Sequence, residues 1–304
     1  MDVFFQGALF NEEIINILHP DLGAWMDQAM MIISMMGTEL FFTCIFSIIY
    51  WCWDKKTGIK LGIILLVSAA VNDIAKEIFT NPRPDTAKLA PEIKSLRDSS
   101  HIRGYGFPSG HTQNTFSFWL SSIYYMRFLP VIITGIIMML IVPFSRIYLG
   151  VHYPGDLAGG AVLSMMMIPL LAAALYFIEK NMQKKWSVAI PCLAILVPVL
   201  VFNFMPGYHL NMVMGMLSGI SIGHLTAGGR FNFEPRGSAG FAMVKILIGI
   251  SGLAAILFGL REILVGTLLN GFIINWLMGF WITFIAPYIF VKITAKKPAE
   301  NITI

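Results

Sequence analysis

Charge is what this sequence has least of. Only 12% of its 304 residues are Asp, Glu, Lys or Arg, whereas 57% are hydrophobic. A soluble domain carries about 25% charged residues, so the composition excludes an ordinary soluble enzyme. The net charge of +4 is spread along the chain and forms no basic run. Because nucleic-acid binding needs a concentrated basic surface, we expect no nucleic-acid partner.

Cysteine and N-terminal basic residues are also scarce. The three cysteines, Cys44, Cys52 and Cys192, lie within or at the ends of apolar segments. Such positions are typical of small buried hydrophobic residues and not of a disulfide framework. The first 54 residues contain no Lys or Arg. A signal peptide begins with basic residues, so we expect no removable leader.

Long apolar runs take the place of charge. A bilayer core needs about 20 apolar residues per helix, and these runs are continuous and rich in Leu, Ile and Met, without the alternation of barrel strands. The sequence therefore predicts an all-α integral membrane protein, a helical bundle of about nine transmembrane helices. The predicted spans lie near 29–53, 57–79, 109–126, 129–145, 156–178, 186–205, 210–226, 241–260 and 268–291. Only Arg261 and Glu262 divide the last two, so eight spans is the alternative.

Orientation and organisation follow from the loops. Nine spans place 13 of the 21 basic residues on one side, which the positive-inside rule makes cytoplasmic. This predicts an extracytoplasmic N-terminus, a cytoplasmic C-terminus and an extracytoplasmic polar loop from about Thr80 to Phe107. A loop of this length in a compact bundle is usually functional. We predict one membrane domain over 1–304, with the chemistry in 29–178 and additional helices of unknown role in 186–291.

Three polar clusters lie at predicted helix ends on the extracytoplasmic face. In the first, Lys76 and Arg83 are seven residues apart, so both side chains point one way if the helix continues that far. In the second, a proline and Ser109 begin a helix, and the free amides and dipole of a helix start attract anions. Gly110 allows a ligand to approach the backbone. Alone, a snorkelling lysine, an N-cap serine and an interfacial histidine at 111 explain the same residues.

The third cluster contains Ser145, Arg146, His152 and Asp156. If Pro154 opens the fifth span, Asp156 lies in its first turn and its carboxylate can reach back to the His152 ring. A carboxylate on one ring nitrogen fixes the tautomer and leaves the other nitrogen free as a nucleophile. Alone, Asp156 is an ordinary acid at a helix start.

Taken together, the clusters predict chemistry on a multiply charged oxyanion. Three fixed cations, Lys76, Arg83 and Arg146, suit the oxygens of a phosphoryl group. A metal site formed by His111, His152 and Asp156 is the alternative. The three cations would repel a divalent ion, so we prefer the interpretation as a site that binds a phosphoryl group.

The spacing of these residues resembles a family signature. The first pattern is Lys76, six residues and Arg83-Pro84, and the second is Pro108-Ser109-Gly110-His111. The third is Ser145-Arg146, five residues, His152, three residues and Asp156. Together they are similar to the three motifs of the type 2 phosphatidic acid phosphatase superfamily. The resemblance implies a helical phosphatase core with its active site at the ends of the motif helices, and no metal or organic cofactor. It implies that His152 is the nucleophile that becomes a phosphohistidine, Asp156 its orienting partner and His111 the general acid. The phosphate-binding residues that it implies are Lys76, Arg83, Ser109, Gly110 and Arg146.

The resemblance implies a membrane-embedded phosphatase, and the predicted topology places its site on the extracytoplasmic face. A pocket at bilayer level favours a lipid substrate: phosphatidic acid, phosphatidylglycerol phosphate, a sphingoid phosphate or a polyprenyl diphosphate. The arrangement of nine spans with an outside N-terminus is more similar to the glucose-6-phosphatase branch, which makes a soluble sugar phosphate the alternative substrate. A lipid phosphotransferase and a transporter are further alternatives, although transport sites lie near the membrane midplane between repeats.

The C-terminal half offers fewer signals. Gly215, Gly219 and Gly223 recur every fourth residue in the seventh span, which favours close helix packing, either as a scaffold within the chain or as the surface of a predicted homodimer. Four histidines have no partner that the sequence identifies: His19, His101, His209 and His224.

Overall fold

The structure, a computed structural model, describes residues 7–19, 23–99, 104–181, 196–197, 200, 207–228, 230–260 and 267–295. All regular elements in these ranges are helical, which confirms the predicted all-α class. The helices are α1 (Glu12–Leu18), α2 (Ala24–Met35), α3 (Glu39–Cys52), α4 (Lys55–Phe79), α5 (Pro91–Ser99), α6 (Gly110–Met126), α7 (Leu129–Tyr148), α8 (Pro154–Asn181), α9 (Tyr208–Gly228), α10 (Ala239–Ala254), α11 (Leu268–Phe280) and α12 (Ala286–Ala295).

Within the described residues, six helices are long and apolar enough to cross a membrane. They are Lys55–Phe79, Leu129–Tyr148, Pro154–Lys180, His209–Gly228, Ala239–Gly259 and Leu269–Thr294. A seventh span results if α2 and α3, which bend by 57° at their junction, count as one. The predicted count of nine is therefore not confirmed. The predicted span 186–205 lies almost entirely outside the described residues, as do Arg261 and Glu262.

The helix α6 explains part of the difference from nine. It has 17 residues, and most of its buried side chains are polar. A helix surrounded by protein can carry polar side chains that find partners on its neighbours, whereas a lipid-facing span cannot. Two other predicted spans account for the rest. The span 29–53 is broken between Met35 and Glu39, and 186–205 lies almost entirely outside the described residues.

The chain forms two compact units. One contains Met1–Thr43 and Val67–Leu175, and the other contains Cys44–Leu66 and Tyr176–Ile304. All three sequence motifs belong to the first unit.

A buried polar network ties the motif helices of the first unit together. Gln113 on α6 donates through Nε2 to the backbone oxygen (2.8 Å) and hydroxyl (3.1 Å) of Ser68 on α4. Its Oε1 accepts from Asn72 Nδ2 at 2.7 Å, and its backbone oxygen accepts from Ser164 on α8 at 2.8 Å. Since buried polar groups are costly unless paired, these bonds fix the register of α4, α6 and α8.

The second unit is built on glycine contacts. A Cβ at Gly219 would lie 2.1 Å from the backbone oxygen of Trp276, and a Cβ at Gly215 would lie 2.3 Å from that of Phe272. The close packing predicted from the glycine spacing is thus confirmed, but the partner is α11 of the same chain. The glycine face is occupied within the molecule, so the predicted homodimer cannot use it as a free surface.

Candidate active site

The turn between α7 and α8 carries a histidine and a carboxylate in contact. His152 Nδ1 lies 3.1 Å from Asp156 Oδ2, and the backbone N–H of Tyr153 donates to the same oxygen at 3.0 Å. The contact that the sequence predicted is present because Pro154 begins α8 and leaves Asp156 in its first turn. Both side chains are buried. Two donors on one carboxylate oxygen hold the carboxylate in a single orientation.

Arg83 determines the tautomer of His152. Its Nη1 lies 3.1 Å from His152 Nε2. A guanidinium has donors and no acceptor, so Nε2 must supply a lone pair. The ring proton is therefore on Nδ1, where it donates to Asp156. This leaves a neutral imidazole whose Nε2 lone pair faces a cation.

Arg83 reaches this position from a loop, which differs from the sequence expectation. The helix α4 ends at Phe79 and does not continue to Arg83, because Thr80 adopts a positive φ of 48° and Pro82 follows. Two backbone oxygens hold the guanidinium, Gly104 O and Val151 O, each at 3.0 Å. Burial lowers the pKa of Arg83 to about 10, and Asp156 opposes this shift. Arg83 therefore keeps its charge at neutral pH.

Lys76 and Gly110 lie side by side. A Cβ at position 110 would lie 3.1 Å from Asn72 Oδ1 and 3.6 Å from Lys76 Nζ. The missing side chain therefore leaves room beside the lysine ammonium. Ser109 is the N-cap of α6, and its hydroxyl accepts from the backbone N–H of Thr112 at 3.5 Å. The backbone N–H of Ser109 is not free, because it donates to Asp156 O at 2.9 Å.

Arg146 is buried at the end of α7. One of its terminal nitrogens donates to the hydroxyl of Ser34, while its Nε has no hydrogen-bond partner within the described part of the chain. A buried guanidinium with a spare donor is suited to an anionic ligand.

The break between α2 and α3 borders the same region. A Cβ at Gly37 would lie 3.1 Å from both Cβ and Cδ2 of His111, and Asn114 donates to Glu39 at 3.4 Å. Together with Ser34, these residues contact the site from a segment for which the sequence predicts no function. The interruption of an apolar run by Gly37, Thr38 and Glu39 is the signal that could have indicated it.

The positive charges around His152 act together. Burial lowers its pKa well below the usual value, and the charges of Arg83, Arg146, Lys76 and His111 lower it further, in that order. His152 is therefore neutral at pH 7. The eight residues predicted for the site, Lys76, Arg83, Ser109, Gly110, His111, Arg146, His152 and Asp156, lie in one region of the first unit. Among the described residues, no group of three or more His, Cys, Asp or Glu side chains is arranged to hold a metal ion.

Two family models match the chain. The model described as PAP2 superfamily matches residues 57–182, which contain all three motifs. The model described as PAP2 superfamily phosphatase, transmembrane extension, matches residues 211–298. The chain belongs to the PAP2 superfamily. The resemblance inferred from the motifs is confirmed, and the helices after 186, which matched no motif, contain the transmembrane extension of that superfamily. The chain is an integral membrane protein.

The chain is similar to curated lipid phosphatases. It is 28% identical to a probable sphingosine-1-phosphate phosphatase of Dictyostelium discoideum, over 63% of this chain and 50% of that protein. It is also 28% identical to phosphatidylglycerophosphatase B of Bacillus subtilis, over 53% of this chain and 77% of that protein. The chain spans half or less of the length of the sphingosine-1-phosphate phosphatases that it matches.

The chain is also similar to a solved structure. It is the crystal structure of the first transmembrane PAP2 type phosphatidylglycerolphosphate phosphatase from Bacillus subtilis, which covers 57% of this chain and 86% of its own. The two are 23% identical, with a TM-score of 0.43.

Proposed function

We propose that the protein is a membrane phosphatase that hydrolyses a lipid phosphate through a phosphohistidine at His152. The observation that carries this proposal is the state of His152. Asp156 accepts a hydrogen bond from Nδ1–H of His152, and the Nε2 lone pair of His152 faces Arg83. A neutral imidazole with one nitrogen bound to a carboxylate and the other beside a cation is arranged to attack an anionic electrophile.

In the first step, the Nε2 lone pair of His152 attacks the phosphorus, and the bond between phosphorus and the lipid oxygen breaks. Arg83 first moves its Nη1 from Nε2 to a phosphate oxygen, which is a stronger acceptor because it is charged. The Nδ1 proton stays in place, and Asp156 stabilises the positive charge that forms on the ring. His111, as imidazolium, donates its proton to the leaving oxygen, so the lipid leaves as an alcohol.

In the second step, water attacks the phosphorus of the phosphohistidine. His111, now neutral, accepts a proton from this water, and the P–N bond breaks with its electron pair returning to Nε2. Inorganic phosphate then leaves. We assign the non-bridging oxygens to the remaining site residues, which are Lys76, Arg83, Ser109, Gly110 and Arg146.

Lipid substrates are favoured over soluble ones by two facts. The motif residues lie at the ends of helices α4, α7 and α8, which are apolar enough to cross a membrane, so a lipid phosphate can arrive laterally. The relatives described above are named for sphingosine 1-phosphate and phosphatidylglycerophosphate. We therefore place a sphingoid phosphate or phosphatidylglycerol phosphate ahead of a sugar phosphate.

The test compares phosphate release by the wild type with that by His152→Ala and His209→Ala, the second being an exposed histidine outside the site. The substrates are phosphatidic acid, phosphatidylglycerol phosphate, sphingosine 1-phosphate, a polyprenyl diphosphate and glucose 6-phosphate, with EDTA present. We expect release from at least one lipid, which His209→Ala retains and His152→Ala loses. Release from glucose 6-phosphate alone would replace the lipid by a sugar phosphate. No release from any substrate would overturn hydrolysis in favour of phosphotransfer or transport.

We propose that the site is extracytoplasmic, with the N-terminus outside and the C-terminus in the cytoplasm. Asp98→Cys, in the exposed part of the polar loop, and Lys56→Cys, in the first turn of α4, test this orientation. An impermeant thiol reagent added to intact cells should label position 98, while position 56 should react only after lysis. The unsubstituted chain gives the background of the native cysteines. The opposite pattern would reverse the orientation.

A further inference from the structure

A short N-terminal strap, residues 7–19, lies against the turn that carries His152. Its helix α1 begins at Glu12, where Asn11 is the N-cap and accepts from the backbone N–H of Glu13 at 3.0 Å. The strap precedes the range 57–182 that the PAP2 model matches. The motifs gave no reason to assign it a function.

Glu12 is buried although it carries a carboxylate. It is 8% exposed, and its Oε1 accepts from the hydroxyl of Tyr153 at 2.6 Å and from the backbone N–H of Asp85 at 3.0 Å. These bonds keep the pKa of Glu12 below its usual value although burial opposes them. The ionised carboxylate therefore joins the loop after Arg83 to the residue after His152.

Apolar contacts hold the strap in the same place. Ile15 is fully buried in a cluster with Leu89, Ile93, Ile147, Tyr153 and Leu157. The ring of Phe10 packs edge-on against Tyr153, with 5.8 Å between centroids. A Cβ at Gly155 would lie 2.1 Å from Phe10 Cζ, so the strap touches the first turn of α8 directly.

Polar contacts fix the C-terminal part of the strap. Asn16 donates to Lys88 O at 3.1 Å and accepts from the backbone N–H of Ala90 at 3.0 Å. His19 Nδ1 lies 3.0 Å from Tyr148 O, at the end of α7. The strap is thus bonded to the segment 88–90 and to the end of α7, just before the turn 149–153.

We propose that Glu12 is a positioning residue of this site, which holds Tyr153 and through it the orientation of His152 and Asp156. This inference rests on the proposed function. Tyr153 connects Glu12 to Asp156, because its hydroxyl donates to Glu12 while its backbone N–H donates to Asp156. If the hydroxyl loses its acceptor, the backbone of the turn is free to move, and the carboxylate that orients His152 moves with it. Glu12 touches no substrate in this account.

The test uses the full-length chain with Glu12→Ala, Glu12→Gln and Tyr153→Phe. Glu13→Ala is the matched control, since Glu13 is the exposed neighbour on the same helix. The probes are ³²P-labelled sphingosine 1-phosphate and ³²P-labelled phosphatidylglycerol phosphate. The amplitude of the phosphohistidine burst counts active sites, and kcat is expressed per active site.

We expect Glu12→Ala and Tyr153→Phe to lower kcat per active site by about tenfold, which corresponds to the loss of one hydrogen bond to a charged group. KM should stay nearly constant because the phosphate-binding cations are untouched. Glu12→Gln should recover most of the activity, since its amide oxygen still accepts from Tyr153. The double variant of Glu12→Ala and Tyr153→Phe should lose little more than either single variant.

Three results would overturn the inference, and they differ in what else they overturn. If Glu12→Ala behaves like Glu13→Ala while the wild type forms phosphohistidine, only the positioning role is wrong. If Glu12→Ala lowers the burst amplitude and leaves kcat per active site unchanged, the strap stabilises the fold without positioning the site. If the wild type forms no phosphohistidine from either lipid, the proposed function is wrong as well.

Discussion

At the scale of single residues, the chemistry depends on the environment of His152. Asp156 holds its Nδ1 proton, and burial with four neighbouring positive groups disfavours a second proton. Arg83 adds a specific reason, because its N–H can donate to Nε2 only while that nitrogen is unprotonated. In the proposed mechanism, the histidine can therefore attack the phosphorus without first losing a proton.

The lowered pKa of His152 predicts the acid side of the pH profile. The usual pKa of a histidine is about 6.5, and a lowered pKa means that the neutral form persists as the pH falls below that value. We expect kcat/KM, which reports the free enzyme, to lose activity only well below pH 6.5. The substrate phosphate has a second pKa of about 6, so its titration must be measured separately and the rates corrected for it. A corrected acid limb at pH 6.5 or above would contradict this account.

Single residues also show which features of the site could be predicted from the sequence. The motifs identified the eight residues that the structure brings into one region, because their spacing is a linear pattern. They could not indicate that Arg83 contacts Nε2 from a loop, since the expectation of a continuing helix ignored the turn at Thr80. They could not indicate Ser34 or Glu12 either, because each meets its partner across more than 100 residues of chain.

At the scale of elements, the broken helix pair α2 and α3 is the main departure from the predicted spans. Thr38 stabilises the break, since its hydroxyl donates to Met35 O at 2.7 Å and accepts from the backbone N–H of Phe41 at 3.4 Å. Gly37 lies at this break, and because it has no side chain its backbone packs directly against His111. Hydropathy reports only that a segment is apolar, so it predicted one continuous span here.

Gly37→Ala tests the importance of this break. A Cβ at position 37 would lie 2.7 Å from Val142 Cγ1 and 3.1 Å from His111 Cδ2, so the histidine ring or the helices must move. We expect kcat to fall by about 10- to 100-fold, because small displacements of a reacting group are costly. Gly240→Ala is the control, since nothing lies within 4 Å of a Cβ there. Equal activity of the two variants would show that His111 tolerates the change.

The polar network of α6 shows a second limit at this scale. Gln113 and Asn72 are internal to predicted spans, where the sequence gives no reason to expect a hydrogen-bonded pair. Their pairing at 2.7 Å needs α4 and α6 to be neighbours in the correct register. Tertiary packing decides this, and one apolar pattern is compatible with many packings.

At the scale of the whole molecule, the two family models fall in different parts of the chain. The range 57–182 contains the motifs, whereas the transmembrane extension at 211–298 contains the glycine-rich α9. The sequence predicted the close packing of this helix correctly but left open whether its partner belongs to the same chain or to a second copy. Spacing alone reports that a helix face is flat, and it does not report which helix covers it.

Gly219→Ala tests the internal packing of the second unit. The added Cβ would lie 2.1 Å from a backbone oxygen of α11, which cannot rotate away as a side chain can. We expect a cost of about 1–3 kcal/mol, typical of overpacking, seen as a lower midpoint of thermal unfolding in detergent. Gly240→Ala should leave the midpoint unchanged or raise it slightly. Equal midpoints would mean that α9 and α11 pack less closely than described.

The most direct test of the central claim is to trap the covalent intermediate. Purified protein is mixed with ³²P-labelled sphingosine 1-phosphate or phosphatidylglycerol phosphate, quenched in alkali within milliseconds and digested, and the labelled peptide is sequenced. We predict label on His152, no label in His152→Ala, and an unchanged result with EDTA. Turnover of the lipid with the label on another residue, or with no label at any time, would contradict the account.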